Sequence, residues 1–221
     1  MRQYGYLIIP ILILFAVPME KNHRSRNQEK NLDARVESFL ERRESTWRDM
    51  NVSTRDGRIL YDIILKNDYK QALEIGTSTG HSTVWIAWAL SKTGGKLITI
   101  EIDDRRHRQA VASIEEAGLS DFVDARLGDA HDLVPALGGV FDFVFCDADK
   151  GWYKNYLTAV LPKLEAGGCF AAHNVRGRRG RGQYGIGEYV DFLESLPFME
   201  TTYESSSWAG IAVSYKRKEN P

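Results

Sequence analysis

The chain has 221 residues, 43% of them hydrophobic and 27% charged. That balance suits one globular domain with a sizeable core and excludes a disordered protein or two full-size domains. Lysine and arginine total 29 against 30 for aspartate and glutamate, a formal net charge of −1, so no global field steers the protein onto nucleic acid or an acidic membrane.

The amino terminus is the compositional outlier. Arg2 precedes the uncharged run "YGYLIIPILILFAVP", which is short of the ~20 residues of a full span and suits a signal-like core or a short anchor. No small-x-small cleavage site stands near Ala16, and Lys21, Arg24, Arg26 and Lys30 follow the run. The expectation is membrane association through residues 4–18 with the domain held in the cytoplasm; a start at Met19 is the alternative. On this reading residues 1–18 are an anchor or signal-like segment, 19–30 a charged linker and 31–221 the folded domain.

From residue 31 the pattern turns helical, with Leu32, Val36, Phe39 and Leu40 on one face, and "GRILYDIILKN" repeats it after Gly57. Two covering helices are predicted. Short apolar runs then alternate with longer amphipathic segments, which predicts strands at 70–75, 96–101, 122–127, 141–147, 168–174, near 198–203, and 209–215. The short link "ESSSWA" makes the last two strands an antiparallel hairpin at a sheet edge. The two cysteines, Cys146 and Cys169, sit inside apolar runs, which predicts free core thiols and a reducing compartment.

This order is that of a doubly wound α/β sheet, where ligands bind beyond the carboxyl ends of the strands. The rule selects Glu74 to Gly80, Glu101 to Asp104, Gly128 to Asp132, Asp147 to Lys150 and His173 to Arg176. The first of these contains Gly76-Thr77-Ser78-Thr79-Gly80, which fits the G-x-S-x-G elbow of serine hydrolases, and Ser78, Asp147 and His173 follow the chain order of that triad. Against a hydrolase, only one strand precedes Ser78, no glycine-rich oxyanion loop exists upstream, and Glu101 has no task. A ribose-binding cofactor gives Glu101 one, as acceptor from the ribose hydroxyls. Ser78 occupies the place of the middle glycine of a dinucleotide fingerprint, so a ligand without a pyrophosphate fits better. S-adenosylmethionine is such a ligand: Gly76 and Gly80 supply close approach and a tight turn, and Ser82 at the helix start can bond its carboxylate.

The blocks "MNVSTRDGRIL", "ALEIGTSTGHST", "LITIEIDD", "RLGDAHDLV", "FDFVFCDADKGWYKNYL" and "GGCFAAHNV" together resemble the cation-dependent O-methyltransferases related to catechol O-methyltransferase, from about Met50 to Tyr215. The resemblance implies a Rossmann-like class I methyltransferase fold: a seven-stranded, mostly parallel sheet with an antiparallel last strand and helices on both faces. It implies cofactor contacts from Val52, Glu74, Gly76, Ser82, Glu101, Asp129 and Ala130, with Ser78 and Gly80 in the cofactor turn and Asp147 beside it. It further implies Asp147 and Asn174 as metal ligands, Lys150 beside the acceptor oxygen, a small phenolic or catechol-like acceptor, and a homodimer. A non-catalytic adenosyl-ligand binder is the remaining alternative.

The sequence departs from the family at position 173, where "ADN" reads "AHN". His173 replaces a metal carboxylate. Mg²⁺ prefers oxygen donors whereas imidazole suits transition metals, so the change alters the metal, ends metal dependence, or makes His173 a base. Trp152, Tyr153 and Trp208 are candidate walls for an aromatic acceptor. Arg176, Arg178, Arg179 and Arg181 form a loop that suits an anionic acceptor; an RNA contact there is disfavoured by the near-neutral charge and the lack of stacking aromatics.

Overall fold

The structure, a computed structural model, describes residues 19–44, 47, 50–176, 185–204 and 206–218. The apolar stretch at 4–18 and the loop arginines Arg178, Arg179 and Arg181 lie outside the described residues. Among those described, no helix is long and apolar enough to cross a membrane.

Helix α1 (Met19–Glu44) begins well before the residue-31 start that periodicity predicts. Residues 19–30 carry Glu, Lys, Arg and Gln, which are good helix formers, but too few apolar residues to mark a period. Val36 and Phe39 are fully buried, and Leu32 and Leu40 pack partly against the same core. Arg35 ties α1 to α4 (Asp104–Ala117) by donating to the carbonyls of Glu115 and Glu116 at 2.7 and 2.8 Å. Those carbonyls lie in the last turn of α4, where a cation also meets the negative end of the helix.

Helix α2 (Thr54–Asn67) is capped by the Ser53 hydroxyl, which accepts from the Asp56 N–H at 3.1 Å. Its Gly57 is required by packing: a Cβ there would lie 2.2 Å from Cδ1 of Trp85 in α3 (His81–Thr93). The α2 backbone therefore lies directly against the Trp85 ring at that point.

Seven strands follow: β1 (Gln71–Ile75), β2 (Lys96–Glu101), β3 (Val123–Leu127), β4 (Phe141–Cys146), β5 (Leu164–His173), β6 (Met199–Glu204) and β7 (Ile211–Lys216). The sheet order is β3-β2-β1-β4-β5-β7-β6, parallel except for β7, which pairs antiparallel with both β5 and β6. The predicted sheet and edge hairpin are what the chain forms. Strand β5 starts at Leu164 rather than at 168, because "EAGG" reads as a turn. The strand instead carries Gly167 at φ +87 within an irregularity of the β4–β5 register.

Both faces of the sheet are covered, which is why β4 reads as an unbroken apolar run. Phe143 and Phe145 join the core under α1 to α3, while Val144 and Cys146 join the core under α5 (Ala130–Ala136), α6 (Tyr153–Val160) and α7 (Ile186–Glu194). Cys146 and Cys169 fall in opposite cores and are free and buried. Strand order reverses between β1, which leads outward to β2, and β4, and Ile75 is level with both Ile100 and Cys146. A crevice opens at such a reversal.

Candidate active site

A cavity of about 640 Å³ occupies that crevice. Gly76 and Ser78 reach it from the turn after β1, and Ser82 from the start of α3. Glu101, Asp129 and Ala130 reach it from the ends of β2 and β3, Asp147 and Lys150 from the end of β4, and His173 and Asn174 from the end of β5. Val52 closes it from the loop before α2.

The turn after β1 is shaped for close approach. Gly76 adopts φ +99, and a Cβ there would meet the Asp147 carbonyl oxygen at 2.7 Å. Gly80 adopts φ +97 against Ala110 of α4. Ser78 between them is itself left-handed, at φ +50, and its N–H donates to Glu101 Oε2 at 2.7 Å. The second Glu101 oxygen accepts from the Asp103 N–H at 2.9 Å. Two backbone donors thus fix this carboxylate while each oxygen keeps acceptor capacity toward the cavity.

Two predicted contacts stand off the wall. Gly80 shapes the turn without lining the cavity, and Glu74 is fully buried one layer behind Ser82. Thr83 and Thr99 hydroxyls donate to Glu74 Oε2 at 2.5 and 2.6 Å. Burial raises the Glu74 pKa to about 7, against the opposing hydrogen bonds of Ser82, Thr83 and Thr99. Depth along the sheet explains the displacement: Glu74 is level with Thr99 and Phe145, two residues short of Glu101 on the neighbouring strand, though on the same face.

The loop over the cavity is pinned by a buried histidine. Trp85 Nε1 donates to His81 Nε2 at 3.3 Å, so His81 Nδ1 carries the proton it gives to the Val52 carbonyl at 2.6 Å. Burial lowers the His81 pKa, keeping the ring neutral.

At the opposite end the side chains are charged. Lys150 Nζ pairs with Asp147 Oδ1. His173 Nδ1 lies 3.0 Å from Asp147 Oδ2, at ion-pair distance though off hydrogen-bond alignment. His173 Nε2 is 3.1 Å from Oδ2 of Asp56, a residue of α2. All three groups are buried: side-chain exposure is 7% for His173, 14% for Asp147 and 2% for Asp56. Burial alone would lower the His173 pKa, but the two carboxylates outweigh it and raise it to about 9. The same contacts hold Asp147 and Asp56 below the usual carboxylate range in spite of burial. Both nitrogens of His173 thus face carboxylates, an arrangement that favours the doubly protonated ring.

This arrangement answers three expectations. Neither nitrogen of His173 faces Ser78, so the Ser78–His173–Asp147 hydrolase triad does not form. A ring held between two carboxylates favours keeping both protons, which argues against His173 as the base at neutral pH. Both oxygens of Asp147 already face the nitrogens of Lys150 and His173, and both nitrogens of His173 face carboxylates, so neither side chain turns a free donor toward a metal. Among the described residues no group of three or more His, Cys, Asp or Glu side chains is arranged to hold a metal ion. The donor set does not fit a divalent cation.

The aromatic walls are elsewhere. Tyr153 is in the core, its hydroxyl donating to the His173 carbonyl at 3.1 Å. Trp152 stacks on His131 with centroids 3.8 Å apart. Trp208 is 88% exposed beneath the Arg176 guanidinium. Sequence reading missed His131, Tyr156 and Met50 on the cavity wall and Asp56 behind it. Asp56 had no signal of its own, because an acid in the first turn of a capped helix is an ordinary dipole partner.

The sequence model of the O-methyltransferase family matches residues 23–178. A catechol O-methyltransferase of Niastella koreensis is 38% identical over 57% of this chain and 58% of its own length. A caffeoyl-CoA O-methyltransferase of Eucalyptus globulus is 32% identical over 58% of this chain and 54% of its own. The chain thus spans little more than half the length of these curated relatives. A solved structure of a putative O-methyltransferase from Klebsiella pneumoniae superposes with a TM-score of 0.68 at 26% identity, covering 85% of this chain and 90% of that one. With its fold, its strand-end cavity and its six sequence blocks in agreement, the chain belongs to the O-methyltransferase family.

Proposed function

We propose that the protein is an S-adenosylmethionine-dependent O-methyltransferase acting on a small phenolic or catechol-like acceptor. The observation that carries this reading is the division of the cavity. A backbone-fixed carboxylate, Glu101, lies at one side of it, and a Lys150–Asp147–His173 cluster at the other. Glu101 accepts from the ribose hydroxyls, Gly76 and Ser78 lie under the amino-acid portion, and Val52, Asp129 and Ala130 line the remainder. The acceptor hydroxyl meets Lys150 and Asn174.

Methyl transfer is an in-line displacement. The acceptor oxygen gives an electron pair to the methyl carbon, the carbon–sulfur bond breaks with its pair on sulfur, and the sulfonium leaves as neutral S-adenosylhomocysteine. Much of the rate comes from holding oxygen, carbon and sulfur in line. A phenol ionises near pKa ~10, so at neutral pH only about one molecule in a thousand is phenolate. The Lys150 ammonium and the His173 imidazolium favour that form, and the phenolic proton leaves to solvent. Asp147 holds both cations in place.

Calorimetry with S-adenosylmethionine and S-adenosylhomocysteine tests the cofactor, with saturable binding of both expected. A methyl-donor turnover screen across phenols and catechols tests the acceptor class. Binding of neither cofactor form, or turnover only with non-phenolic acceptors, overturns the reading.

A further inference from the structure

The cluster at the end of β4 and β5 is closed electrostatically. Two carboxylates, Asp56 and Asp147, face two cations, His173 and Lys150, and their formal charges cancel. Only a ring protonated on both nitrogens suits carboxylates at 3.0 and 3.1 Å on its two edges. A divalent cation entering here would have to take Asp147 from Lys150 or His173, and loss of the His173 contact would break a buried pair. Breaking a buried pair in that way is strongly unfavourable.

We propose that this centre works without a divalent cation: the His173 ring, clamped between Asp56 and Asp147, supplies with Lys150 the fixed positive charge that steadies the acceptor oxygen. Asp56 acts through His173 as a positioning residue. It comes from α2, outside the sheet, and reaches the ring from behind the cavity wall. The inference rests on the methyl-transfer reading above, yet its principal test does not depend on turnover.

The full-length protein, stripped with EDTA, is titrated with MnCl₂ alone by calorimetry and by the free-ion signal in electron paramagnetic resonance. No saturable binding is expected for the wild type. His173→Asp puts a third carboxylate beside Asp56 and Asp147, a hard-oxygen donor set. That variant should gain saturable Mn²⁺ binding and a Tm that rises with added Mn²⁺. Turnover of the wild type should stay within about twofold when EDTA is present.

Saturable Mn²⁺ binding by the wild type, or a loss of more than about tenfold under EDTA, overturns the proposal. If His173→Asp does not fold, the wild-type titration decides by itself. If S-adenosylhomocysteine fails to bind, the functional reading falls, while the Mn²⁺ titration still reports on the cation.

The role of Asp56 is read from ¹⁵N resonances of the His173 ring. Both nitrogens should give imidazolium shifts in the wild type, Asp56→Asn should move them toward the neutral ring, and Asp56→Glu should restore them in part. Shifts unchanged in Asp56→Asn would remove Asp56 from the positioning role.

Discussion

The two ends of the cavity are built by different physics. At the Glu101 end, polarity comes from backbone: the N–H groups of Ser78 and Asp103 aim a single carboxylate, and glycine conformations set the approach. At the His173 end it comes from side chains on three elements locked by mutual charge. A backbone-built site tolerates changes in the side chains that merely decorate it. A charge-locked site redistributes its loss to every partner when one member is removed, because a buried ion left unpaired costs more than the pair contributes.

The sharpest way to break this comparison is Lys150→Met. It should lower kcat by about a hundredfold or more while leaving S-adenosylmethionine affinity nearly unchanged; unchanged turnover would take Lys150 out of the chemistry. Next is Glu101→Ala, which removes the ribose acceptor and strands two backbone donors. Cofactor Kd should weaken by roughly ten- to a hundredfold in calorimetry, at one to three kcal/mol for lost charged hydrogen bonds.

A smaller effect is expected from Glu74, which belongs to neither end. Its carboxyl titrates near 4.5 when unfolded and near 7 when folded. Between those values the unfolded chain has lost a proton that the folded chain keeps, so stability should fall as pH rises from about 4.5 to about 7 and level off above. The full drop is on the order of a few kcal/mol. Glu74→Gln should flatten that portion of a denaturant-unfolding pH profile, and an unaltered profile would show that Glu74 is not its source. The smallest effect is reserved for Ser78→Ala. Because Ser78 contributes its N–H to Glu101, methyl transfer should stay within about twofold, and a large loss would mean that the hydroxyl has a role of its own.

The same contrast explains what could be read from sequence. Strand order, the edge hairpin and the positions of Gly76, Ser78, Glu101 and Asp129 follow from apolar runs and from the rule that ligands meet strand ends, both local in the chain. Glu74 satisfies that rule by position yet sits one level deeper than Glu101, beside Thr99, so it lies behind the wall rather than on it. The start of α1 was invisible because residues 19–30 carry too few apolar residues to mark a period. Asp56 and His173 stand 117 residues apart, and nothing near either one announces the other. His173 read as a change of metal ligand, and only the fold shows that both its ring nitrogens face carboxylates.

Gly57 gives this pairing an unexpected dependence. It follows Asp56 directly, and its missing Cβ is what lets α2 lie against Trp85. A methyl group at that position would push the helix outward and draw the Asp56 carboxylate away from the imidazole. The spacing between α2 and α3 therefore works as a tuning gauge for the charge at the end of β5, so that an apparently remote packing change would be felt as a change in electrostatics.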